Sequence, residues 1–215
     1  LNIPDTLRLV GIMAQFLLED PNDIPTTSGN GWFLTEKSKS YNQLLVDYES
    51  NSLRCKGMLL DPPPHNTLYF QKQLEAVGNY YTNVSDSNLF YTAKIIENPD
   101  STHGYYTVSH DMEYYAKGDT LLAEFFSEVI DLAESDIKSH FNFEDEYPKP
   151  DDLVFIVFHA GLSQDFSYPS FDPTIYDLKS AYIDEEMMQG IMPTEIYDIP
   201  ITRGILLPET QNIIY

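Results

Sequence analysis

Three apolar runs along the chain predict β-strands. Residues 7–16 form the first run, and residues 89–96, rich in aromatic and β-branched side chains, form the second. The third run, residues 153–158 (LVFIVF), has six apolar residues without alternation. A strand that lacks alternation needs apolar cover on both faces, so we expect residues 153–158 to be an interior strand of a sheet.

The stretch after residue 65 has the spacing of an amphipathic helix. It begins near Asn66 or Thr67, either of which can cap a helix, and it ends between residues 83 and 87. Apolar residues at i, i+4, i+7 and i+11 predict the face that packs on the sheet. These residues are Phe70, Leu74, Val77 and Tyr81.

A second helix is predicted over residues 120–138. Asp119 or Thr120 is the expected cap, because either side chain can accept a hydrogen bond from the first turn. The helix carries one apolar stripe, which we expect to face the core. The stripe consists of Leu122, Phe125, Val129 and Leu132.

Turn-forming residues separate these elements. Residues 19–31 and 162–179 are predicted to be loops, and the prolines of residues 61–64 (DPPP) give a stiff, extended entry to the first helix. The order strand, helix, strand, helix, strand predicts an α/β fold with helices packed on a sheet. The chain has no internal repeat and no clear linker, so we expect residues 1–215 to form one domain.

The composition agrees with a packed domain. Of the 215 residues, 42% are hydrophobic, which is enough to bury a core. The chain has 16 tyrosines and 12 phenylalanines. A tyrosine ring can pack while its hydroxyl reaches a polar partner, so we expect the tyrosines to line the edges of the core and a cleft.

The chain is strongly acidic. Twelve basic and 34 acidic residues give a formal net charge of −22. Such a charge repels phosphate backbones and anionic lipids, which argues against nucleic-acid binding and against electrostatic docking to membranes. No segment reaches the roughly 20 apolar residues that span a bilayer. The acidic residues are expected to keep the surface solvated, and counter-ion binding, for example of Ca²⁺, is the functional alternative.

Cys55 is the only cysteine. An internal disulfide is therefore impossible, and a cysteine-rich metal site is excluded. Arg54 and Lys56 flank Cys55 and would favour its thiolate, but we expect an ordinary loop cysteine.

The histidines do not have the spacing of a zinc helix. H-E-x-x-H places two imidazoles on one helix face with a glutamate between them, and this motif does not occur in the 215 residues. A metal site assembled across the fold is the remaining alternative. Its candidate ligands would come from His65, His103, His110, His140 and His159.

Ser163 follows the predicted interior strand, where an α/β-hydrolase places its nucleophile. The surrounding residues 161–165 (GLSQD) have Asp165 where the nucleophile elbow needs a second small residue. His159 lies four residues before Ser163, whereas that fold places its histidine late in the chain. A serine hydrolase that uses Ser163 is therefore disfavoured.

His159 is the most site-like residue in the sequence, because it ends the predicted interior strand and precedes a long loop. An imidazole can donate from one nitrogen and accept at the other, and so it can join loop backbones. We expect His159 to be buried and to bond to the segment between Gln164 and Tyr182. A role in a cleft is the alternative.

Several stretches together resemble the amino-terminal half of the peptidase domain in the immune inhibitor A family of secreted bacterial zinc metallopeptidases. Residues 69–85 are similar to the family segment F-x-x-Q-L … Y-Y/F … S-x-G-x-L, with Asn88 near the usual glycine. Residues 106–115 resemble a stretch that contains M-x-Y-Y. Residues 152–161 resemble a hydrophobic strand that ends in H-A-G.

The opening strand and residues 172–182 complete the resemblance. Asp172-Pro173-Thr174, followed by Ser180-Ala181-Tyr182, resembles the family segment D-P-x-D-I-W-S-H, but this chain has Ala-Tyr where the family has a histidine and a tryptophan. The matches span residues 7–184, and their order and spacing carry the resemblance.

The resemblance implies a zincin-like fold, in which a twisted mixed sheet with helices packed on it is followed by a zinc helix. In such enzymes two histidines of H-E-x-x-H hold Zn²⁺, and the glutamate activates a water for attack on a peptide carbonyl. No position of this chain matches that motif, so no catalytic or metal-binding residue is carried over. The chain would supply the sheet under the site and an edge strand that faces the substrate.

Two functions from different classes remain open. The chain is interpreted as the amino-terminal portion of a secreted zinc endopeptidase that acts on protein or peptide substrates, with the zinc motif after Tyr215. The alternative is a non-catalytic extracellular binding or surface module that keeps the fold. By itself the chain is expected to be inactive and to bind no zinc. The sequence does not indicate an oligomeric state.

Overall fold

The computed structural model describes residues 6–19, 26–35, 63–141, 152–165 and 174–210. Within them, the helices are α1 (Thr67–Val84), α2 (Met112–Tyr115) and α3 (Asp119–His140). The strands are β1 (Thr6–Gln15), β2 (Phe90–Ile96), β3 (Tyr106–Thr107), β4 (Leu153–Leu162), β5 (Ala181–Ile183), β6 (Glu195–Ile196), β7 (Ile199–Pro200) and β8 (Gly204–Thr210).

Most strands belong to one mixed sheet. Strands β2, β1, β4 and β8 lie side by side and run parallel, and β5 pairs antiparallel with β8 at the far edge. The short β3 continues beside the end of β1, while β6 and β7 pair separately. The expected α/β class is confirmed, because a mostly parallel sheet carries the helices.

The helices cover opposite faces of the sheet. Phe158 of β4 packs against Phe70 of α1, with ring centroids 4.5 Å apart. The next residue, His159, lies edge-on to Phe125 of α3. Since successive side chains of a strand point to opposite faces, α1 and α3 form two outer layers with the sheet between them.

The prediction of an interior strand at residues 153–158 is confirmed. Strand β4 lies between β1 and β8, and Phe155 and Ile156 are only 3% and 5% exposed. The strand is longer than the apolar run and continues to Leu162. The polar residue His159 is therefore part of β4, and Leu162 is a strand residue and not the start of the predicted loop.

Helix α1 begins where the sequence predicts, but its buried face differs. Asn66 is the cap, and its side chain accepts a hydrogen bond from Tyr69 N at 3.1 Å. Phe70 and Leu74 are buried, whereas Val77 and Tyr81 are exposed, so that part of the predicted face is wrong. The packed face continues through Gly78, where an added Cβ would lie 3.0 Å from Tyr91 Cβ.

Helix α3 also departs from its prediction at the cap and along the stripe. The cap is Gly118, which has no side chain to bond, and Asp119 is already the first helical residue. Leu132 is 42% exposed, so its assignment to the stripe is wrong. The stripe instead widens to both sides of the predicted line, because the sheet covers a broad face of this helix. Its further buried residues are Ala123, Phe126, Ile130, Ala133 and Ile137.

The predicted loops are described only in part. Residues 26–31 form turns and residues 163–165 and 174–179 are irregular, as expected. The other parts of the predicted loops, at residues 20–25, 61–62 and 166–173, lie outside the described residues.

Asn66→Ala is expected to lower the free energy of unfolding by about 1 kcal/mol, because it removes the side chain that accepts from Tyr69 N. Asn79→Ala is the matched control. Asn79 is exposed in the middle of the same helix, and there alanine is expected to stabilise by a few tenths of a kcal/mol. Urea unfolding monitored by circular dichroism measures both. Equal effects of the two substitutions would contradict the capping role of Asn66.

Candidate functional site at the carboxyl edge of the sheet

Strand β4 contains a bulge near its carboxyl end. Its register with β8 shifts between His159 and Leu162. Gly161 adopts a φ of +96°, a backbone conformation that residues with a side chain rarely adopt, so a substitution there would be strained. The bulge turns two backbone N–H groups away from the regular ladder and toward side chains from other parts of the chain.

Glu209 of β8 accepts one of these N–H groups. Its Oε2 accepts from Gly161 N at 3.2 Å, and its Oε1 accepts from Leu34 N at 2.8 Å. Oε1 also lies 2.6 Å from Nδ1 of His65. The side chains of Glu209 and His65 are 0% and 1% exposed, so one buried carboxyl group joins β8, β4, the segment 26–35 and the residues before α1.

Burial raises the pKa of the Glu209 carboxyl group well above its ordinary value, although the N–H groups of Leu34 and Gly161 act in the opposite direction. The contact with His65 survives in both protonation states. An ionised carboxylate accepts a hydrogen bond from Nδ1–H, and a protonated carboxyl group donates to an unprotonated Nδ1. The pair is thus a buried, proton-sharing anchor of the sheet edge.

Ser28 accepts the second freed N–H group. Its Oγ accepts from Leu162 N at 2.7 Å, while its own N–H donates to Asp177 Oδ1 at 2.5 Å. All three groups are buried. The segment 26–35 is therefore tied both to the end of β4 and to the residues that precede β5.

The residues after β4 are anchored to the residues before β5. Gln164 N donates to Leu178 O at 3.2 Å, and Ser180 N donates to Asp165 Oδ1 at 2.9 Å. The described ends of the predicted loop are thus held close together, next to the bulge. Such loops at the carboxyl ends of parallel strands are where α/β sheets place ligand sites.

His159 is fully buried, as the sequence predicts, but the expected hydrogen bonds are wrong. Nδ1 donates to Ala160 O at 2.9 Å, and within the described residues Nε2 has no hydrogen-bond partner. The ring faces Phe16 and Phe125 on the α3 side of the sheet. The alternation of β4 turns the side chain into the core, between these two rings.

Burial lowers the pKa of His159 to about 4, and the contact with Ala160 O and the charge of Asp165 offset this only in part. The ring is therefore neutral near pH 7. Because a carbonyl oxygen can only accept, Nδ1 carries the proton and Nε2 is the bare acceptor. His159 fills core space between aromatic rings and does not face a cleft.

Ser163 is also buried, at 1% exposure, and its Oγ accepts from Asp165 N at 3.0 Å. This contact closes a local turn after β4. A nucleophile must be exposed and must contact a base. The position of Ser163 therefore agrees with the sequence argument against a serine hydrolase.

The other histidines do not converge. His103 and His110 are exposed and stack on Tyr105 and Tyr114, while His140 is exposed at the end of α3. Across residues 6–19, 26–35, 63–141, 152–165 and 174–210, no group of three histidine, cysteine or carboxylate side chains is placed to hold a metal ion. Calcium binding by the acidic chain stays a prediction, and Cys55 lies outside the described residues.

Several tyrosines line the contact between α3 and the segment before it. The hydroxyl of Tyr106 donates to Asp136 at 2.7 Å, and that of Tyr115 donates to Glu128 at 2.5 Å. Burial raises the pKa of both phenols, and each carboxylate partner adds to the effect. The expected placement of tyrosines at core edges holds for this pair, and part of the acidic surface of α3 serves as acceptors for them.

The residues that organise this edge are not those that the sequence highlights. Glu209, Asp177 and Ser28 do not stand out in the sequence, because single polar residues in turn-rich stretches are usually exposed to solvent. The available signal is weak. Glu209 follows the apolar residues of β8 directly, as a carboxylate at the end of a buried strand would.

Comparisons with protein-family models, with curated proteins and with solved structures give no match to this chain. Among the described residues, no helix is both long enough and apolar enough to cross a bilayer.

Proposed function

We propose that the chain is the amino-terminal portion of a secreted zinc endopeptidase domain with a zincin-like fold, acting on protein or peptide substrates. The observation that carries the proposal is the form of the sheet. Four parallel strands are followed at one edge by the antiparallel strand β5, and the anchored segments 163–165 and 174–180 lie at the carboxyl edge beside it. The resemblance described above implies the same arrangement of a supporting sheet and a substrate-facing edge strand.

Strand β5 has the properties of a peptide-binding edge. It is the last strand on its side of the described sheet, and Tyr182 at its centre is 59% exposed. An extended peptide can add to such an edge through main-chain hydrogen bonds, while its side chains meet the residues that flank the strand. This chain would then position a substrate, and zinc chemistry would be supplied by residues beyond these 215, since H-E-x-x-H does not occur in them.

A longer chain that continues past Tyr215 is expected to hydrolyse peptides and to lose that activity when zinc is chelated. In that chain Tyr182→Ala is expected to raise KM about tenfold, because it removes contacts made to bound substrate. Zinc content and Tm should not change, since Tyr182 is exposed. Tyr80→Ala is the matched control, because Tyr80 is 61% exposed on the distant helix α1.

Ser163→Ala in the same chain is expected to leave activity intact. Hydrolysis that resists chelation, or that Ser163→Ala abolishes, would contradict the zinc-peptidase proposal. An unchanged KM for Tyr182→Ala would remove β5 from the substrate site without bearing on zinc.

A non-catalytic extracellular binding or surface module is the second candidate. The observation that favours it is that the buried polar side chains at the carboxyl edge are engaged in holding the fold together. Glu209, Ser28 and Asp177 each accept from a buried backbone N–H group. The full reading frame discriminates between the two candidates. H-E-x-x-H on a predicted helix after residue 215 supports the peptidase, and its absence supports the module.

A further inference from the structure

The outer edge of β2 is partly occupied by side chains of α1. Strand β2 is the last strand of the described sheet on the side opposite β5. A strand edge presents backbone N–H and C=O groups with which a further strand can pair. The side-chain amide of Gln71 donates to Ala93 O at 3.0 Å and accepts from Ile95 N at 3.1 Å. Gln71 thus takes the place of a peptide group in a neighbouring strand.

These contacts identify which residues of β2 face outward. Successive residues of a strand direct their backbone polar groups to opposite neighbours. The backbone N–H and C=O groups of Tyr91 therefore point outward, as do those of Ala93 and Ile95. The backbone groups of the residues between them point toward β1. At the beginning of the same edge, Ser85 Oγ accepts from Leu89 N at 3.1 Å. Gln71 of α1 and the cap residue Ser85 thus hydrogen-bond to backbone groups at the two ends of this edge. The centre of the edge lies at Tyr91 and Ala93.

The unit formed by α1 and β2 also differs from the rest of the chain in charge. Residues 67–96 contain two lysines and two acidic residues, so their formal charge is zero, whereas the whole chain carries −22. Repulsion between two copies is therefore weak at this unit, and the unit offers apolar area that a partner can bury. Its exposed large apolar side chains are Leu68, Val77, Tyr80, Tyr81, Val84 and Phe90.

The side chains of β2 complement a second β2 that runs antiparallel to it. A two-fold axis at Thr92 places Tyr91 of each copy opposite Ala93 of the other, a large residue against a small one. The backbone groups of both residues point toward the partner strand, so the two residues can exchange main-chain hydrogen bonds. The same axis places Phe90 opposite Lys94, where an ammonium group can contact an aromatic ring.

We propose that the outer edge of β2 is a strand-pairing surface for a second copy of this chain, and that the amide of Gln71 competes with that copy for the edge. While Gln71 is in place, Ala93 O and Ile95 N are occupied, and pairing is restricted to Tyr91 and to the N–H group of Ala93. When the amide is removed, the two sheets join across the axis at Thr92 into one continuous sheet.

Gln71→Ala is expected to lower the dimer dissociation constant by about tenfold or more, because two backbone groups per copy become available for pairing. Sedimentation equilibrium over a concentration series measures this, in about 0.5 M sodium chloride to screen the charge of the two copies. Gln73→Ala is the matched control, since Gln73 is an exposed glutamine on the same helix. Equal dissociation constants for the two folded variants would overturn the proposal.

A cross-link tests the position of the axis. In an antiparallel pair, opposite residues that do not hydrogen-bond have Cα atoms about 4.5 Å apart, within the range of a disulfide. In a Cys55→Ser background, Thr92→Cys is expected to give a disulfide-linked dimer on mild oxidation, and more of it when Gln71→Ala is added. Ser135→Cys, exposed on α3 and outside the unit of α1 and β2, is the control. Cross-linking at Ser135→Cys that equals or exceeds that at Thr92→Cys would overturn the proposed pairing.

Discussion

Glu209→Leu is expected to lower the free energy of unfolding by about 3–5 kcal/mol. Leucine is similar in size to glutamate but has no carboxyl group. The substitution therefore removes the acceptor of two buried N–H groups, those of Leu34 and Gly161. It also leaves His65 Nδ1 without its carboxyl partner. Each unsatisfied buried group costs about 1–3 kcal/mol, which is why the total is large. Chemical unfolding of the two proteins at pH 7 measures the difference.

Two further variants separate the anchor from a general effect of leucine. Glu195→Leu, at an exposed position of β6, is expected to change stability by less than about 0.5 kcal/mol. Glu209→Gln is expected to fall between these two. Its amide oxygen can still accept from Leu34 N, but its NH₂ group meets the N–H of Gly161. If Glu209→Leu is as stable as Glu195→Leu, Glu209 does not anchor the sheet edge.

His159→Leu is expected to make the fold more resistant to acid. Burial lowers the pKa of His159 in the folded chain to about 4, and unfolding returns it toward 6.5. Between these values the unfolded chain binds a proton that the folded chain does not. The stability of the parent protein is therefore complete above pH 6.5 and falls as the pH drops toward 4.

Leucine removes this penalty and also removes the bare Nε2 acceptor from the core. Relative to the parent, His159→Leu should gain about 2 kcal/mol between pH 7 and pH 5. Unfolding curves at several pH values measure the gain. His103→Leu, at an exposed loop residue, is the control for the replacement of a histidine by leucine. A parallel pH dependence for parent and His159→Leu would mean that His159 is accessible to protons in the folded chain.

The sequence is informative where a local pattern decides the structure. The unbroken apolar run at residues 153–158 requires cover on both faces, and β4 has it. Asn66 caps α1 as predicted, because capping depends on the residue and its immediate neighbours. The burial of His159 is also predictable, since it continues a strand that is already interior.

Features that depend on distant partners could not be predicted. Strand β8 (GILLPET) contains a glycine, a proline and a glutamate, which are all disfavoured in strands. Its place beside β4 supplies the pairing that overrides this local preference. The predicted burial of Val77 is wrong for a similar reason. Tyr91 packs closely against Gly78, so the buried face of the helix passes through Gly78 and leaves Val77 exposed.

The predicted hydrogen-bond partners of His159 are wrong because the sequence pattern does not show to which face of β4 the side chain points. An imidazole next to a long loop suggests contact with that loop. The alternation along β4 instead directs the ring toward Phe125. The bulge at Gly161, which sends N–H groups to Glu209 and Ser28, leaves no periodic signal in the sequence.

The ties of the segment 26–35 have a consequence for the order of assembly during synthesis. Leu34 and Glu209 are 175 residues apart, and Ser28 is 149 residues from Asp177. As the chain leaves the ribosome from its amino terminus, the early segment is present long before its partners exist. Closing such long loops is slow, so this edge is expected to form late. Until Glu209 has emerged, His65 and the N–H of Leu34 remain hydrated, and a nascent chain that stops before β8 has no complete carboxyl edge.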